Sequence, residues 1–169
     1  MLVNCFTTSR LLRHNSNVHD EDDGGQKVMD GGWIYVFMTA SDYSRYKVGF
    51  TKHDPMLRLR QLRTGDPKIG FEVAFFIPDS LGIKLSALEA MLHEELGHPI
   101  EFWDEQKSEW FKGEPSDVWY ELQSLFTTFG YEVTDSYQPY QNKIVRFWEE
   151  EIVSLFSPSR PTNSNENIW

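Results

Sequence analysis

The sequence predicts an α+β fold, in which helices flank a three-stranded antiparallel sheet and an extra helix follows near the C-terminus. Three observations predict it. Residues 33–39, 45–50 and 71–77 are short runs rich in aromatic and β-branched residues, which is typical of strands. Turn-forming residues separate the first two runs, as in an antiparallel hairpin. Leucines recur every three or four residues from Leu81 to Leu96, which is typical of a helix packed on a sheet.

Two helices are expected around the third strand. Asp54 is a suitable N-cap and Pro55 a suitable first helical residue, so one helix should run from there to the turn at residues 64–67. The leucine-rich helix follows the third strand, with Asp79 or Ser80 as its cap. Along the chain, one helix therefore precedes the third strand and the other follows it.

The remaining elements are expected to be shorter or terminal. Gly97 should end the leucine-rich helix, because glycine readily adopts the left-handed conformation found after helix ends. Residues 109–111 should form a short extended piece. A further helix should begin near Pro115, and residues 141–156 look like a last amphipathic helix.

The composition indicates how the chain divides into a main domain and flanking segments. Residues 1–19 hold two arginines without an acidic residue, a weak similarity to an organelle transit peptide, but they lack the long apolar run of a secretory signal. Residues 20–31 are polar and glycine-rich, and residues 1–31 predict a flexible or disordered leader. Residues 32–130 should form the main domain, 131–157 a C-terminal helical extension and 158–169 a disordered tail. Cys5 is the only cysteine, which excludes an intrachain disulfide and a four-thiolate zinc site. No apolar run is long enough for a membrane helix, and a cytoplasmic protein is expected.

Charge is distributed unevenly along the chain. The formal net charge is −10, which argues against nonspecific binding to nucleic acid. Residues 45–68, however, hold seven Lys or Arg and two Asp or Glu, a net charge of +5. This basic segment can meet a phosphate locally, while the acidic remainder discourages promiscuous binding.

Two histidines near the end of the leucine-rich helix resemble a zinc-protease motif. That motif needs histidines four residues apart, which a helix places on one face. His93 and His98 are five residues apart, and Gly97 should end the helix between them. A zinc site at these residues is therefore not expected.

Glu89 and His93 form a better pair, because residues four apart are neighbours on a helix. Glu89 lies beside the leucine stripe, where a carboxylate is costly unless it is paired or holds a cation. The pattern leaves two interpretations open. Glu89 is either a metal ligand or a solvated residue at the helix edge.

Five segments in this order resemble the GIY-YIG nuclease superfamily over about residues 32–125. They read WIYVF, YKVGFT, DPMLRLRQLRTGDP, LSALEAMLHEEL and SEWF. The resemblance is closest to the phage-type branch, whose second strand carries Lys-Ile-Gly. It implies a GIY-YIG-like fold and a divalent-metal-dependent endonuclease that cleaves nucleic acid, with DNA as the favoured substrate and Mg²⁺ or Mn²⁺ as the cofactor.

The resemblance also implies the site. It implies that Glu89 binds the metal and that the catalytic residues are Tyr35, Lys47, Arg58, His93 and Glu89. A carboxylate suits Mg²⁺, which prefers oxygen ligands, and the planar guanidinium of Arg58 suits phosphate oxygens. The nucleic-acid-binding residues are expected to be Lys52, Arg60, Arg63, Lys68 and Trp110.

The chain departs from the family pattern in two places. Lys47 replaces the second tyrosine, and it could act as a general base or bind phosphate as a point charge. The late asparagine of the family has no clear counterpart. Trp110 also has two interpretations, since it could be a core residue or a platform on which bases stack.

Two functions from different classes therefore follow from the sequence. The first is a metal-dependent endonuclease. The second is a nucleic-acid-binding or protein-binding module that keeps the fold without the chemistry, for example a defence or anti-defence factor. The oligomeric state is open, and the last helix could build a homodimer interface.

Overall fold

A single sheet forms the centre of the computed structural model, which describes residues 29–101, 106–138 and 142–157. Its strands are β1 (Gly31–Thr39), β2 (Asp42–Thr51), β3 (Ile69–Pro78), β4 (Trp110–Lys112), β5 (Val133–Thr134) and β6 (Ile144–Phe147). The α-helices are α1 (Pro55–Leu62), α2 (Leu85–Glu95), α3 (Pro115–Thr128) and α4 (Glu149–Phe156). The predicted tail and all but the last three residues of the predicted leader lie outside the described residues.

The sheet is larger than the sequence predicts. Its strand order is β4-β2-β1-β3-β6-β5, so the three predicted strands occupy the second, third and fourth of the six positions, in the order β2-β1-β3. All neighbours pair antiparallel except β5 and β6, which pair parallel. The predicted α+β class and the antiparallel pairing of the three predicted strands are confirmed. The predicted number of strands is wrong, because these strands belong to a six-stranded mixed sheet. Strands of two to four residues are too short to show a periodic pattern.

The helix predicted for residues 141–156 is wrong in its first part, which contains a strand. Residues 144–147 form β6, which pairs with β3, and the helix α4 begins only at Glu149. Ile144, Val145 and Phe147 are all buried, because residues on both faces of β6 pack against the protein. Burial on both faces produces the same continuous apolar pattern in a strand as in a buried helix.

The leucine-rich helix is also shorter than predicted. Residues Asp79–Leu81 form a single 3-10 turn, and Gly82 follows with a φ of 66°, in the left-handed region. The α-helix begins three residues later, at Leu85. Gly97 follows the end of α2 with a φ of 91°, which confirms its predicted role. His98 is exposed after the helix end, apart from His93.

Two apolar clusters cover the two faces of the sheet, and β1 contributes to both by alternation. Ile34 and Val36 face the cluster that contains the buried leucines of α2 and α3. Trp33, Tyr35 and Phe37 face the cluster that contains the buried residues of α1 and α4. Because side chains alternate along a strand, Tyr35 must share its face with α1. None of the helices in these ranges is long and apolar enough to cross a membrane.

The N-cap of α1 provides a test of how the sequence positions this helix. The Asp54 carboxylate accepts a hydrogen bond of 2.7 Å from the Met56 backbone N–H, as predicted for an N-cap. We expect Asp54→Ala to lower the free energy of unfolding by about 1 kcal/mol, because a helix-end N–H loses its acceptor. Urea denaturation measures the change. Asp54→Asn is the matched control and should stay within about 0.5 kcal/mol of the wild type.

Candidate active site

Tyr35 lies in the middle of β1 and is almost fully buried. Its ring stacks on Phe37, with 4.2 Å between the ring centroids. On the neighbouring strand, Gly49 is its direct partner. A Cβ atom on Gly49 would lie 2.5 Å from the Tyr35 hydroxyl oxygen. Glycine at position 49 therefore allows the hydroxyl group to extend across β2.

Arg58 approaches this hydroxyl from the first helix. The Asp54 cap and Pro55 start α1, and fully buried Leu59 holds the helix against the sheet. One turn into the helix, the Arg58 guanidinium donates a hydrogen bond to the Tyr35 hydroxyl. A second guanidinium N–H donates to the Gln61 side-chain oxygen at 3.2 Å. Arg58 is thus held at the site on two sides.

The Tyr35 hydroxyl remains protonated at neutral pH. Burial raises the pKa of Tyr35 above its ordinary value of 10, although the hydrogen bond and the charge of Arg58 oppose the rise. The negative charges of Glu109 and Glu89 raise the pKa further. A neutral hydroxyl that already accepts from Arg58 can still donate its own proton to an oxygen atom.

Lys47 is a buried lysine on β2, on the same face as Phe37, its partner on β1. Its ammonium forms an ion pair with the carboxylate of Glu109, the residue that precedes β4. Buried lysines are rare unless their charge is paired. The β2–β4 pairing brings this partner close, because Lys47 and Trp110 are opposite each other in the two strands.

The second helix completes the outer edge of β2. β4 pairs with β2 only over Arg45 to Lys47, so within the described residues the backbone groups of β2 that follow have no further strand to bond on that side. There the His93 ring N–H at Nε2 donates to the Val48 carbonyl at 3.0 Å. The Glu89 carboxylate accepts from the Phe50 N–H. Two side chains one helical turn apart thus satisfy backbone groups that a longer β4 would have paired.

Glu89 carries an incompletely compensated charge. Burial raises the pKa of Glu89 to about 7, and the neighbouring carboxylate of Glu109 adds to the rise. The Lys47 charge and the Phe50 N–H lower the pKa of Glu89 but do not cancel these effects. A cation beside this carboxylate would remove the cost of its charge.

Any divalent ion at this site would have few protein ligands from the described part of the chain. Within residues 29–101, 106–138 and 142–157, no group of three or more His, Cys, Asp or Glu side chains could hold a metal ion. Mg²⁺ commonly binds through one or two carboxylates and keeps several waters. Glu89 could serve as such an anchor.

The raised pKa of Glu89 predicts a loss of stability with rising pH. Its folded value, about 7, exceeds the ordinary 4.5, so the folded protein binds the proton more tightly. The stabilisation is complete below about pH 4.5 and disappears as the pH rises through about 7. We therefore expect Glu89→Gln to be more stable than the wild type by about 1–3 kcal/mol at pH 8 without metal.

At pH 4 the same two proteins should differ by less than about 0.5 kcal/mol, since Glu89 is then protonated in the folded protein and mostly protonated in the unfolded chain. Thermal unfolding at both pH values measures the difference. An equal difference at both values would contradict the shifted pKa.

The structure brings the predicted catalytic residues together from different elements. Tyr35 and Arg58 share a hydrogen bond, and Glu89 responds electrostatically to Lys47. His93 lies one helical turn from Glu89, with Nε2 occupied by the Val48 carbonyl and its ring centroid 5.0 Å from that of Phe111. Val48 and Phe111 belong to the cluster on the sheet face opposite Tyr35. The observed contacts of His93 are with the backbone of β2 and the core.

The predicted nucleic-acid-binding residues are more dispersed. Lys52 and Lys68 are exposed, and Arg60 forms a 3.6 Å ion pair with Asp54. The Arg63 side chain donates to the Ile69 carbonyl at 3.2 Å, which fixes the turn before β3. Trp110 is half-buried in the α1-side cluster, and the Arg45 guanidinium lies 5.1 Å from its ring centre. Its observed environment is that of a residue at the core margin.

Sequence reasoning missed one residue of the site. Glu109 belongs to the segment SEWF, but the sequence predicts no role for it. Its charge acts on Lys47, Tyr35, Arg58 and Glu89. The register between β2 and β4, which brings Glu109 beside Lys47, is not apparent in the sequence.

Comparison with known protein families identifies the family to which the chain belongs. Residues 32–125, more than half of the chain, match the family model of the T5orf172 domain. The chain belongs to the T5orf172 domain family, a nuclease-related, nucleic-acid-binding domain family of GIY-YIG/HNH-like character. The matched range includes every predicted catalytic residue. Neither a curated protein nor a solved structure shows a significant match to the chain.

Proposed function

We propose that this protein is a divalent-metal-dependent endonuclease of the GIY-YIG type, closest to the phage-type branch. One observation carries the proposal. The Tyr35 hydroxyl and the charged groups of Arg58, Lys47 and Glu89 come from four different elements and converge beside Gly49, which leaves room for the hydroxyl. A structural role for each residue separately would not require this convergence.

These groups match the demands of phosphodiester hydrolysis. The reaction needs an oriented water and stabilisation of the negative charge that grows on the phosphate oxygens. The guanidinium of Arg58 offers planar donors to those oxygens, and Lys47 offers a compact positive charge. The protonated Tyr35 hydroxyl can orient the attacking water or donate to a phosphate oxygen. His93 and the Phe50 N–H keep α2 in place against β2.

Glu89 is the residue that would hold Mg²⁺ or Mn²⁺. The bound ion would supply additional positive charge at the phosphate. Glu89 suits it because burial and Glu109 make its carboxylate costly without a cation. Around the site, exposed Lys52 and Lys68 would contact the backbone of the nucleic acid, for which DNA is our favoured form.

The test is a cleavage assay with labelled single-stranded and double-stranded DNA and RNA. We expect cutting in Mg²⁺ or Mn²⁺ and none after addition of a chelator. The same panel identifies the substrate form. Absence of metal-dependent cutting in all four substrates would contradict the proposal.

One observation favours a second function, a binding module without catalysis. Lys47 stands where the wider superfamily pattern has a tyrosine, and its ammonium is already paired with Glu109. A binding module would retain nucleic-acid binding without metal-dependent cutting, and Glu89→Ala would leave its affinity unchanged. The cleavage assay and a binding assay on the same substrates therefore separate the two functions.

A further inference from the structure

The positive charges of the site already face a negative group. The Glu109 carboxylate forms an ion pair with Lys47, and its charge raises the pKa of Arg58. These are the two cations assigned above to the phosphate. A carboxylate and a phosphodiester are both singly charged anions with oxygen acceptors, so both suit the same donors.

The exposure of the pair places Glu109 on the solvent side. The Glu109 side chain is 47% exposed, whereas that of Lys47 is 9% exposed. An anion that approaches Lys47 from solvent therefore meets Glu109 first. The backbone carbonyl of Glu109 accepts from the Val48 N–H at 3.2 Å, and Trp110 is paired with β2. Because the backbone is held, rotation of the Glu109 side chain is sufficient to break the ion pair.

We propose that the Glu109 carboxylate occupies the place of the phosphodiester group at Lys47 in the substrate-free protein and rotates away when nucleic acid binds. The contact keeps a buried ammonium paired in the absence of substrate, which lowers the cost of its burial. It also weakens substrate binding, since the carboxylate must be released. The inference rests on the proposed function for the identity of the phosphodiester ligand.

Glu109→Gln tests the inference, because it removes the charge and retains the side-chain size. We expect the Kd for a fluorescent DNA duplex, measured in chelator without divalent cations, to fall about 3- to 10-fold. The slope of log Kd against log salt should steepen by up to about one. A released carboxylate takes up a cation from solution in the wild type, and the variant has no such carboxylate.

Glu132→Gln is the matched control. It also removes one carboxylate from an ion pair, in this case the 2.6 Å pair with Lys143, away from the site. We expect its Kd to stay within about 2-fold of the wild type, with an unchanged salt slope. Thermal unfolding verifies that each variant is folded. If Glu109→Gln does not fold, Glu109→Ala removes the same charge and should change Kd in the same direction.

A Lys47→Met background separates this contact from a general charge effect. Without the ammonium, Glu109→Gln should change Kd by less than about 2-fold. Equal tightening in both backgrounds, or no tightening in the wild-type background, would overturn the inference. Absence of DNA binding by every variant would overturn it as well.

Cleavage kinetics separate displacement from a direct chemical role. Displacement predicts that Glu109→Gln lowers KM and changes kcat by less than about 3-fold. A fall in kcat of about 100-fold at constant KM would overturn the inference. Since the binding measurements need no cutting, a protein that binds DNA as expected but never cleaves it contradicts the proposed nuclease function alone.

Discussion

Glu89→Gln should reduce the rate of metal-dependent phosphodiester cleavage by about 10³-fold, which corresponds to about 4 kcal/mol of transition-state stabilisation. Gln retains an oxygen that can accept from the Phe50 N–H, so the backbone contact of α2 with β2 survives. The lost feature is the negative charge that would hold the cation. Initial cleavage rates at saturating Mg²⁺ measure the effect.

Glu94→Gln is the matched control for this variant. Glu94 lies on the same helix and is exposed, so its loss removes one charge from α2 without touching the site. We expect its cleavage rate to stay within about 2-fold of the wild type. A Glu89→Gln protein that cleaves as fast as the wild type would exclude Glu89 as the metal anchor.

The cleavage rate and the pH-dependent stability of Glu89→Gln together would show why the protein keeps a carboxylate at position 89. Glu89→Gln should lose activity and gain stability at pH 8 in the same protein. Such a trade is expected where a charged group is kept at a site for function at a cost to folding. A variant that loses both activity and stability would instead indicate that Glu89 has a structural role.

Gly49→Ala should have the second-largest effect. The added Cβ would lie 2.5 Å from the Tyr35 hydroxyl oxygen and 2.7 Å from the ring carbon that carries it. Tyr35 is stacked on Phe37 in a buried position and has little space in which to move. We expect a loss of about 1–3 kcal/mol in the free energy of unfolding. Cleavage should fall about 100-fold, because a displacement of about 1 Å suffices for such a loss.

Gly65→Ala is the corresponding control. Gly65 lies in the turn after α1, and the nearest atom to an added Cβ is the Leu62 carbonyl oxygen at 3.8 Å. Its unfolding free energy should change by less than about 0.5 kcal/mol, and cleavage should be unaffected. Equal effects of the two substitutions would exclude the close approach of Tyr35 as the reason for glycine at position 49.

The sequence by itself determined the elements that carry the site. The apolar runs of β1, β2 and β3 are long enough to show strand character, and Asp54 with Pro55 marks the start of α1. The spacing of Glu89 and His93 places them on one side of α2. Such features depend on interactions between residues close in the chain, and therefore they leave a pattern in the sequence.

Only the tertiary structure decided the rest. The sequence predicts a short extended piece at residues 109–111, which the structure confirms as β4, but β5 and β6 are only two and four residues long and exist because longer neighbours pair with them. Glu109 joins the site because β4 pairs with β2 in one register, and Glu89 and His93 bond the edge of β2 because β4 ends early. These contacts join residues that are tens of positions apart. No local pattern encodes them, since their stability depends on strand pairing and packing in the folded sheet.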